Sequence, residues 1–264
     1  MYKNKKFKIR NVEDIKDDIT SAKLLYGDSV RTIFLADGNS IIVRTPQLKE
    51  ILAFCYGMFP NLERVTSYGA AKFVLKTKTL DDLKELRKAG LTRIHMGMES
   101  GDKKVLESIE KGATPKEMIK TSKLVIEAGI ELSQYVLLGI GGKDAWKRHA
   151  YNTSNVLSAM NPDFIRARTL VLREGAPLFM DAQKGDFVPC TPEEVLKETQ
   201  ILIENLDVTS HFFSDHVSNY ANINGKLPGD KARMLEDLSK VKKKVEEDPT
   251  FRAHLMDSNR CMNL

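Results

Sequence analysis

Residues 92–112 read TRIHMGMESGDKKVLESIEKG, a stretch that predicts a strand, a short polar turn and a helix. Apolar side chains alternate along the strand and share one face: Ile94, Met96 and Met98. Glu99 and Ser100 follow at once, and Asp102 can cap a helix whose apolar residues recur at helical spacing. Parallel sheets and barrels bind their ligands at the C-terminal ends of the strands. We therefore expect a ligand site where this strand ends.

The composition is that of a globular α/β protein. The chain has 264 residues, of which 42% are hydrophobic and 29% charged, and a formal net charge of +5, which suits one domain with a modest appendage. No apolar run approaches the ~18 residues of a membrane span, and no hydrophobic signal region follows the basic N-terminus. The basic first ten residues favour a solvated or ligand-facing arm over a nucleic-acid patch. We expect a cytoplasmic protein with a small-molecule ligand and neither a membrane nor a nucleic-acid partner.

The three cysteines do not form a local metal motif. Cys55, Cys190 and Cys261 are widely spaced, and an odd number argues against a disulfide framework. Cys55 continues an apolar helical face with Leu48 and Leu52, so it is predicted to belong to the core rather than to a metal site. The sequence therefore predicts no metal-ligating residue within this chain.

One structural unit repeats along the first part of the chain. Strand-like segments begin near residues 31, 64, 92, 132 and 163, about every thirty residues, which is the period of a βα unit. Strands joined by helices must be parallel. We therefore predict an α/β domain with five parallel strands over residues 1–173. Residues 174–264 contain too few apolar residues for an independent core and are predicted as a C-terminal extension that packs on this domain. Within it, 210–228 reads as polar and irregular and 230–247 as a charged amphipathic helix.

Capping signals mark four of the predicted helices. Asn11 can cap a helix that ends at Gly27, and Thr45 can cap one with proline at its first position. The segments 114–117 and 191–194 both read Thr-Pro-x-Glu, which is a capping box. The apolar faces predict that six side chains are buried: Leu48, Ile51, Ile94, Val125, Ile126 and Leu157.

Polar residues and glycines follow all five predicted strands. The candidate ligand-binding residues are Asp37, Gly38, Asn39, Ser67, Glu99, Ser100, Gly139, Gly141, Arg166 and Arg168. Each has a simpler structural explanation, because glycines often only form turns and Glu99 could form a structural salt bridge with an arginine. The Gly139–Gly142 run alone is a weak signal of a phosphate site. The occurrence of such residues after five consecutive strands favours a shared site for a polar ligand at the mouth of a wound sheet or partial barrel.

Two segments resemble a known family. GMESGDKKVLESIEKGAT, residues 97–114, resembles the fourth-strand segment of the radical S-adenosylmethionine (SAM) proteins, especially the branch of oxygen-independent coproporphyrinogen oxidase and the Elongator catalytic subunit. LADGNSIIVRT, residues 35–45, occupies the place of the second-strand motif that holds the methionyl amino group, although Ala36-Asp37-Gly38-Asn39 replaces the commonest Gly-Gly-Glu type of sequence. The resemblance implies a partial (β/α)6-type TIM barrel.

The resemblance also implies roles for individual residues. Glu99 or Ser100 would contact the ribose or amino-acid part of SAM, Gly139–Gly142 would let the backbone approach it, and Arg168 would face its carboxylate. In this family three cysteines spaced C-x3-C-x2-C bind a 4Fe-4S cluster after the first strand. With SAM and an electron donor, the cluster gives a 5'-deoxyadenosyl radical.

This sequence has no such cysteine triplet. Its opening, MYKNKKFKIRNVEDIKDDI, resembles the sequence that follows the third cysteine. We therefore expect that the first strand and the cluster ligands are missing, and that the chain is the core of a radical SAM enzyme that cannot cleave SAM alone. Two alternatives stay open: a non-catalytic nucleotide- or partner-binding module on the same scaffold, and an ordinary βα-barrel enzyme that binds phosphate at Gly139–Gly142. The catalytic residues and the substrate are not predicted.

Overall fold

A computed structural model of the protein describes residues 8–36 and 38–260, with side chains described as far as residue 256, and shows an α/β fold with a mostly parallel sheet. The strands are β1 (Thr32–Leu35), β2 (Arg64–Gly69), β3 (Leu91–Glu99), β4 (Glu131–Leu138), β5 (Phe164–Thr169), β6 (His211–Phe213) and β7 (Asn224–Lys226). The helices are α1 (Val12–Tyr26), α2 (Thr45–Met58), α3 (Ala71–Thr77), α4 (Leu80–Lys88), α5 (Lys103–Ser108), α6 (Pro115–Glu127), α7 (Gly142–Met160), α8 (Pro177–Lys184), α9 (Pro192–Asn205), α10 (Lys231–Glu247) and α11 (Pro249–Arg260).

The seven strands form one open sheet in chain order, from β1 to β7. The pairs β1–β2, β4–β5 and β5–β6 are parallel, and β7 runs antiparallel to β6. All five predicted strands are present within a few residues of their expected bounds, which confirms the strand and helix alternation. The prediction that residues 210–228 are irregular is wrong, because β6 and β7 lie in this segment and extend the sheet. Three-residue strands are too short to give an alternating pattern.

The chain divides into two compact units. The first consists of Met1–His95 and Leu124–Glu131. Within it, α2 contacts both α1 and α4. The buried side chains of α2 recur at helical spacing: Leu48, Ile51, Leu52 and Cys55. Cys55 is therefore a core residue, as the apolar pattern predicts.

The second unit consists of Met96–Lys123 and Leu132–Leu264. Its most extensive contact between helices joins α7 to α9, and α10 also packs against α9. Burial alternates along β5: Ile165 and Ala167 are buried, whereas Arg166 is half-buried and Arg168 is exposed. On β4, the Gln134 amide donates a hydrogen bond to Ser122 of α6, so this face of the strand packs against a helix. Because side chains alternate between faces, the arginines of β5 lie on the face that the helices leave open.

The helix starts follow the sequence signals closely. The capping boxes of Thr114 with Glu117 and of Thr191 with Glu194 are both present, and Asp102 caps α5 by accepting from the Val105 amide. Asn11 occupies the cap position of α1 without a side-chain cap bond. The prediction that Thr45 caps α2 is wrong by one residue, because Thr45 is the first residue of the helix.

Burial departs from the sequence pattern at one position. Five of the six side chains expected in the core are buried, but Ile126 is 36% exposed. Ile126 lies beside the buried stripe of α6, which consists of Met118, Thr121, Ser122 and Val125. Three short helices, α3, α8 and α11, were also not predicted. No helix within the described residues is both long and apolar enough to span a bilayer.

Candidate functional site

In the first unit, neutral hydrogen bonds connect the ends of β1 and β2. The Ser40 hydroxyl donates to the Leu35 carbonyl at 2.7 Å and lies 2.9 Å from the hydroxyl of Ser67, which is fully buried. The Asn39 side-chain oxygen accepts from the Ala70 amide at 3.0 Å. Ser40, which the sequence did not single out, therefore connects two predicted site residues. It follows Asn39 in the chain and bonds to Ser67.

The remaining predicted residues of this unit are Asp37 and Gly38. Asp37 lies outside the described residues. Gly38 has a φ of +74°, which L side chains rarely adopt, and a Cβ placed there would have no neighbour within 4 Å. The ligand role of both residues stays a prediction.

Aromatic side chains and a large cavity lie beside β1. The rings of Phe34, Tyr68 and His95 contact one another, with centroids 4.5 to 6.3 Å apart.

A cavity of about 770 Å³ runs between α1 and β1 and reaches Asn39 and Ser40. In the described part of the chain β1 is an edge strand of the sheet, so this cavity lies along an open strand edge.

In the second unit, Glu99 ends β3 in an unusual backbone conformation. Its φ is +61°, in the left-handed region, which costs a residue with a side chain about 1 kcal/mol or more. The Glu99 carboxylate pairs with Lys111 Nζ at 3.0 Å. The structural salt bridge considered for Glu99 therefore exists, but with a lysine rather than an arginine. Strained residues of this kind concentrate at binding sites.

Ser100 and Asp102 fix the turn between β3 and α5. Ser100 is fully buried and its hydroxyl accepts from the Asp102 amide at 2.9 Å. The Asp102 carboxylate accepts from Arg148 Nε and from the Asn152 side-chain amide, both at 2.7 Å. Burial alone would raise the pKa of Asp102, but the hydrogen bonds from Arg148, the Val105 amide and Asn152 outweigh it and hold that pKa below its usual value.

The loop after β4 is held by a buried acidic side chain. The Gly139 amide donates to Glu198 Oε2 of α9 at 2.7 Å. Glu198 Oε1 lies 2.5 Å from His149 Nδ1 of α7, and His149 Nε2 lies 3.4 Å from the Glu99 carbonyl oxygen. A Cβ at Gly141 would press against the backbone of the first turn of α7 at 3.1 Å. The glycines therefore serve close packing within the chain, and their ligand role stays a prediction.

The two predicted arginines lie side by side on the open face of β5. The Arg168 guanidinium stacks over the Tyr135 ring at 4.7 Å, and that of Arg166 stacks over Phe213 at 5.0 Å. Arg166 approaches Asp215 only to 4.0 Å. Within the described residues the buried Arg166 Nε has no hydrogen-bond partner, nor does the hydroxyl of Ser133, which is fully buried. Register places Ser133 on the same face, because it pairs with Phe164 while Tyr135 pairs with Arg166.

The segment between β6 and β7 covers the end of β5. The Asn219 side-chain amide donates to the Ala167 carbonyl at 2.9 Å, and the Ser218 hydroxyl accepts from the Thr169 amide at 3.2 Å. The same hydroxyl lies 2.8 Å from His216 Nδ1. Burial and the positive charge of Arg168 lower the pKa of His216. This polar segment therefore belongs to the surroundings of the two arginines.

The described cysteines do not fit a 4Fe-4S cluster, whose ligands are thiolates. Cys55 lies in the core of the first unit, and burial raises the pKa of its thiol to about 11. Cys190 lies in the second unit, and burial followed by the negative charges of Glu198 and Glu194 raises the pKa of its thiol. Cys261 lies outside the described residues. No cluster of three or more His, Cys, Asp or Glu side chains suited to a metal occurs in residues 8–36 and 38–256.

The site residues that sequence reasoning missed are Ser40, Lys111, Ser133, His149 and Glu198. His149 and Glu198 lie on different helices, so no local spacing relates them. The amphipathic pattern of α9 was the one usable signal, because it predicts an inward position for Glu198 among apolar side chains.

Known proteins resemble this chain in sequence and in fold. The sequence profile of the Radical SAM superfamily matches residues 2–150. Over 117 residues the chain is 22% identical to a tRNA uridine(34) acetyltransferase of Methanocaldococcus jannaschii, covering 44% of this chain and 22% of that relative.

Two solved structures share the fold. The archaeal Elp3 of Methanocaldococcus infernus, with an N-terminal deletion, matches with a TM-score of 0.58 and 13% identity over 90% of this chain and 59% of its own. Coproporphyrinogen III oxidase of Escherichia coli, described as a radical SAM enzyme, matches with a TM-score of 0.54 and 15% identity over 75% of this chain and 48% of its own. The chain spans less than two thirds of the length of each of these three relatives.

Proposed function

This chain belongs to the radical SAM superfamily, and on that premise we propose that it is the SAM-binding core of a radical SAM enzyme. The second unit supplies the contacts that this proposal uses. Arg168 binds the carboxylate of the methionyl group, and Glu99 and Ser100 lie at the ribose or amino-acid part of the nucleoside. The roles of Asp37, Gly38, Asn39 and Ser67 stay predictions from the family resemblance.

One observation carries the proposal: the open face of β4 and β5 holds buried polar groups without partners. Within the described residues the buried side-chain atoms without a hydrogen-bond partner are the Ser133 hydroxyl and Arg166 Nε, both on this face, and Gln134 Oε1 on the face that packs against α6. An unpaired buried polar group costs about 1–3 kcal/mol, so such groups are rare unless a ligand or water satisfies them. A ligand with a carboxylate and hydroxyl groups supplies matching partners, and guanidinium groups bind carboxylates in a planar, two-bonded geometry.

Aromatic rings orient the two arginines toward this face. Tyr135 supports Arg168 and Phe213 supports Arg166. Stacking limits the rotation of a guanidinium, so less conformational entropy is lost when a carboxylate binds. Arg166 lies two residues before Arg168 and is less exposed, so it supports a second anionic contact deeper along the same strand.

The described residues do not themselves supply the groups that would carry out radical chemistry once SAM is bound. Members of this family use SAM together with a 4Fe-4S cluster, which supply radical chemistry when both are bound. Because Cys55 and Cys190 do not fit a cluster, we propose no step through one for the described residues. The substrate and the electron donor are likewise not proposed.

The alternative of a phosphate-binding barrel enzyme has less support. It requires amide groups of Gly139–Gly142 that point at the anion. The Gly139 amide instead donates to the Glu198 carboxylate, whose negative charge would repel a phosphate. The arginine face also fits the other alternative, a binding module without catalysis.

Titration calorimetry with SAM tests the proposal on the wild-type chain and on Arg168→Gln. We expect measurable binding to the wild type and at least about tenfold weaker binding to the variant, because a charge-assisted contact of about 1.5–3 kcal/mol is lost. Arg233→Gln is the matched control, since Arg233 is exposed on α10, and it should bind as the wild type does.

Two outcomes contradict the proposal. One is equal affinity for SAM in the wild type and both variants, which would show that Arg168 does not contact SAM. The other is tight binding of a simple phosphate ester that SAM does not displace, which would support the phosphate-binding alternative.

A further inference from the structure

The segment between β6 and β7 is attached to β5 on both sides of Arg168. The Asn219 side-chain amide donates to the Ala167 carbonyl at 2.9 Å, and the Thr169 amide donates to the Ser218 hydroxyl at 3.2 Å. Ala167 and Thr169 are the residues directly before and after Arg168. These two hydrogen bonds therefore fix the segment relative to the backbone that carries Arg168.

His216 lies in this segment and is held through Ser218. His216 Nδ1 accepts a hydrogen bond from the Ser218 backbone amide at 3.2 Å and lies 2.8 Å from the Ser218 hydroxyl. The same hydroxyl accepts from the Thr169 amide, and Ser218 is buried. Because Ser218 contacts both the imidazole and the residue after Arg168, it places the His216 ring close to Arg168.

The contact with Ser218 determines which ring nitrogen of His216 carries the proton. A backbone N–H can only donate, so Nδ1 must present its lone pair to the Ser218 amide. A neutral imidazole then carries its proton on Nε2. Burial, followed by the positive charge of Arg168, lowers the pKa of His216, so the ring is neutral at about pH 8. His216 therefore offers one further donor, its Nε2–H group.

Two neighbouring donor groups, His216 Nε2–H and the Arg168 guanidinium, have no acceptor among the described residues. Within that part of the chain Nε2 makes no hydrogen bond, and Arg168 forms no ion pair and stacks on the Tyr135 ring. Asp215 approaches Arg166 instead, at 4.0 Å. A cation without a counter-ion and an unused N–H donor beside it attract the same kind of partner, an anionic oxygen.

We propose that His216 is a ligand-binding residue, which donates a hydrogen bond from Nε2 to the same SAM carboxylate that Arg168 binds. Ser218 and Asn219 are the positioning residues that place this donor beside Arg168. The inference rests on the proposed function and adds a contact to it. A carboxylate has two oxygen atoms, so it can accept from the guanidinium and from the imidazole at once.

Decarboxylated SAM separates this contact from other effects, because it lacks only the carboxylate. A residue that contacts the carboxylate affects the binding of SAM and leaves the binding of decarboxylated SAM unchanged. A residue that only supports the fold affects the binding of both ligands equally. The comparison of the two ligands therefore gives a readout that a structural role of His216 would not change.

His216→Asn is the decisive variant. The asparagine side-chain oxygen can take the place of Nδ1 and accept from the Ser218 amide, while no group remains at the position of Nε2. The attachment of the segment to β5 through Ser218 and Asn219 is unchanged. His254→Asn is the matched control, because His254 is exposed on α11. Arg168→Gln is the reference for a lost carboxylate contact.

Titration calorimetry at about pH 8 measures the affinity of the wild type and the three variants for both ligands. We expect His216→Asn to bind SAM about tenfold more weakly than the wild type, and His254→Asn to bind it equally well. The wild type and His216→Asn are expected to bind decarboxylated SAM with equal affinity. An equal loss for both ligands in His216→Asn, or no loss for SAM, overturns the inference.

The nuclear magnetic resonance of the imidazole nitrogens gives a second readout. The signals of His216 in the isotope-labelled wild type are assigned by their absence from His216→Asn. We expect the free protein to show the form protonated on Nε2, and SAM to shift the Nε2 signal, whereas decarboxylated SAM leaves it in place. A proton on Nδ1 in the free protein, or an Nε2 signal that SAM does not shift, overturns the inference. If His216→Asn does not fold, its signals are assigned by sequence-specific labelling of the wild type, and this measurement decides alone.

Failure of the inference and failure of the proposed function give different results. If Arg168→Gln weakens the binding of SAM and His216→Asn does not, the proposed function stands and the inference is wrong. If the wild type does not bind SAM, the proposed function is wrong and the inference falls with it, whichever form of His216 the spectrum shows.

Discussion

The strand ends of the first unit and those of the second unit are stabilised by different chemistry. In the first, neutral hydroxyl and amide groups of Asn39, Ser40 and Ser67 bond to one another and to the backbone. In the second, charged or ionisable pairs take this role. These pairs are Glu99 with Lys111, Asp102 with Arg148, and His149 with Glu198.

The two units also differ in whether all of their buried polar groups have hydrogen-bond partners. Within the described residues, no buried polar side-chain atom of the first unit lacks a hydrogen-bond partner. The second unit holds a left-handed glutamate and, among the described residues, leaves the Ser133 hydroxyl and Arg166 Nε unpaired. Charge-assisted bonds are about twice as strong as neutral ones, and they can hold a strained backbone in place for a ligand. Substitutions at matched positions test this contrast.

The largest effect is expected from Gly101→Ala in the second unit. A Cβ there would lie 2.5 Å from the Asn152 carbonyl oxygen and 2.6 Å from Thr153 Cα. Both atoms belong to the backbone of α7, which cannot move aside as a side chain can. We expect the free energy of unfolding to fall by about 3 kcal/mol, measured by urea denaturation.

Gly38→Ala in the first unit is the matched substitution. Gly38 has a φ of +74° but open space around its Cβ position. Only the cost of the left-handed conformation applies, about 1 kcal/mol. Equal losses in the two variants would show that the packing around Gly101 is looser than the structure indicates.

A smaller effect is expected from Asp102→Ala. The carboxylate accepts three hydrogen bonds, one of them from Arg148, so we expect a loss of about 2 kcal/mol at neutral pH. Because the folded-state pKa of Asp102 is lowered, this stabilisation is present above the ordinary value of 3.8 and is lost as pH falls through the lowered pKa. The unfolding free energies of the wild type and the variant should therefore converge in acid.

Asp82→Ala gives the corresponding value for the first unit. Asp82 belongs to the capping box of α4 with Thr79, and removal of a cap costs about 1 kcal/mol.

The result for Asp102→Ala could contradict its explanation. If the difference in unfolding free energy between the wild type and Asp102→Ala stays constant down to the lowest pH at which the protein folds, the ion pair is not its source.

The smallest effects come from two serines. Ser67→Ala removes the bond with Ser40 and should cost about 1 kcal/mol. Ser133→Ala removes a buried hydroxyl that has no partner within the described residues, so the unfolding free energy should stay constant or rise by up to about 1 kcal/mol. Thermal unfolding of both variants measures the contrast. A clear loss of stability in Ser133→Ala would mean that its hydroxyl already has a partner.

Local sequence patterns predicted the framework of the fold. Five strands, the capping boxes at Thr114 and Thr191 and the cap at Asp102 depend on residues within a few positions of one another, so the sequence displays them directly. Strands β6 and β7 depend on pairing with distant segments and carry too few residues for a period. These two strands were not predicted because a local sequence pattern does not show long-range strand pairing.

The sequence predicted the strand positions of the candidate site residues but not the contacts that connect them. Glu99 ends β3, and Arg166 and Arg168 are alternate residues on one face of β5, while their ligand roles stay predictions. Their partners could not be read from spacing, because His149 meets the carbonyl of a residue fifty positions earlier in the sequence and Glu198 meets the Gly139 amide from another helix. Long-range contacts of this kind are fixed by packing of helices, which a single sequence does not encode in any short window.

The segment between β6 and β7 has a consequence for engineering. It is attached to β5 through Ser218 and Asn219, which bond to the backbone of Thr169 and Ala167, and the Asn219 side-chain oxygen also accepts from the Thr169 hydroxyl. Backbone groups are present whatever the neighbouring sequence, and the exposed residues 215–217 of this loop can be exchanged while the buried Ser214, Ala221 and Ile223 are kept. The loop also carries Asp215 and His216 beside the two arginines. A library that varies residues 215–217 while keeping Ser218, Asn219 and the buried residues of the loop is therefore a direct way to alter ligand preference on an unchanged sheet.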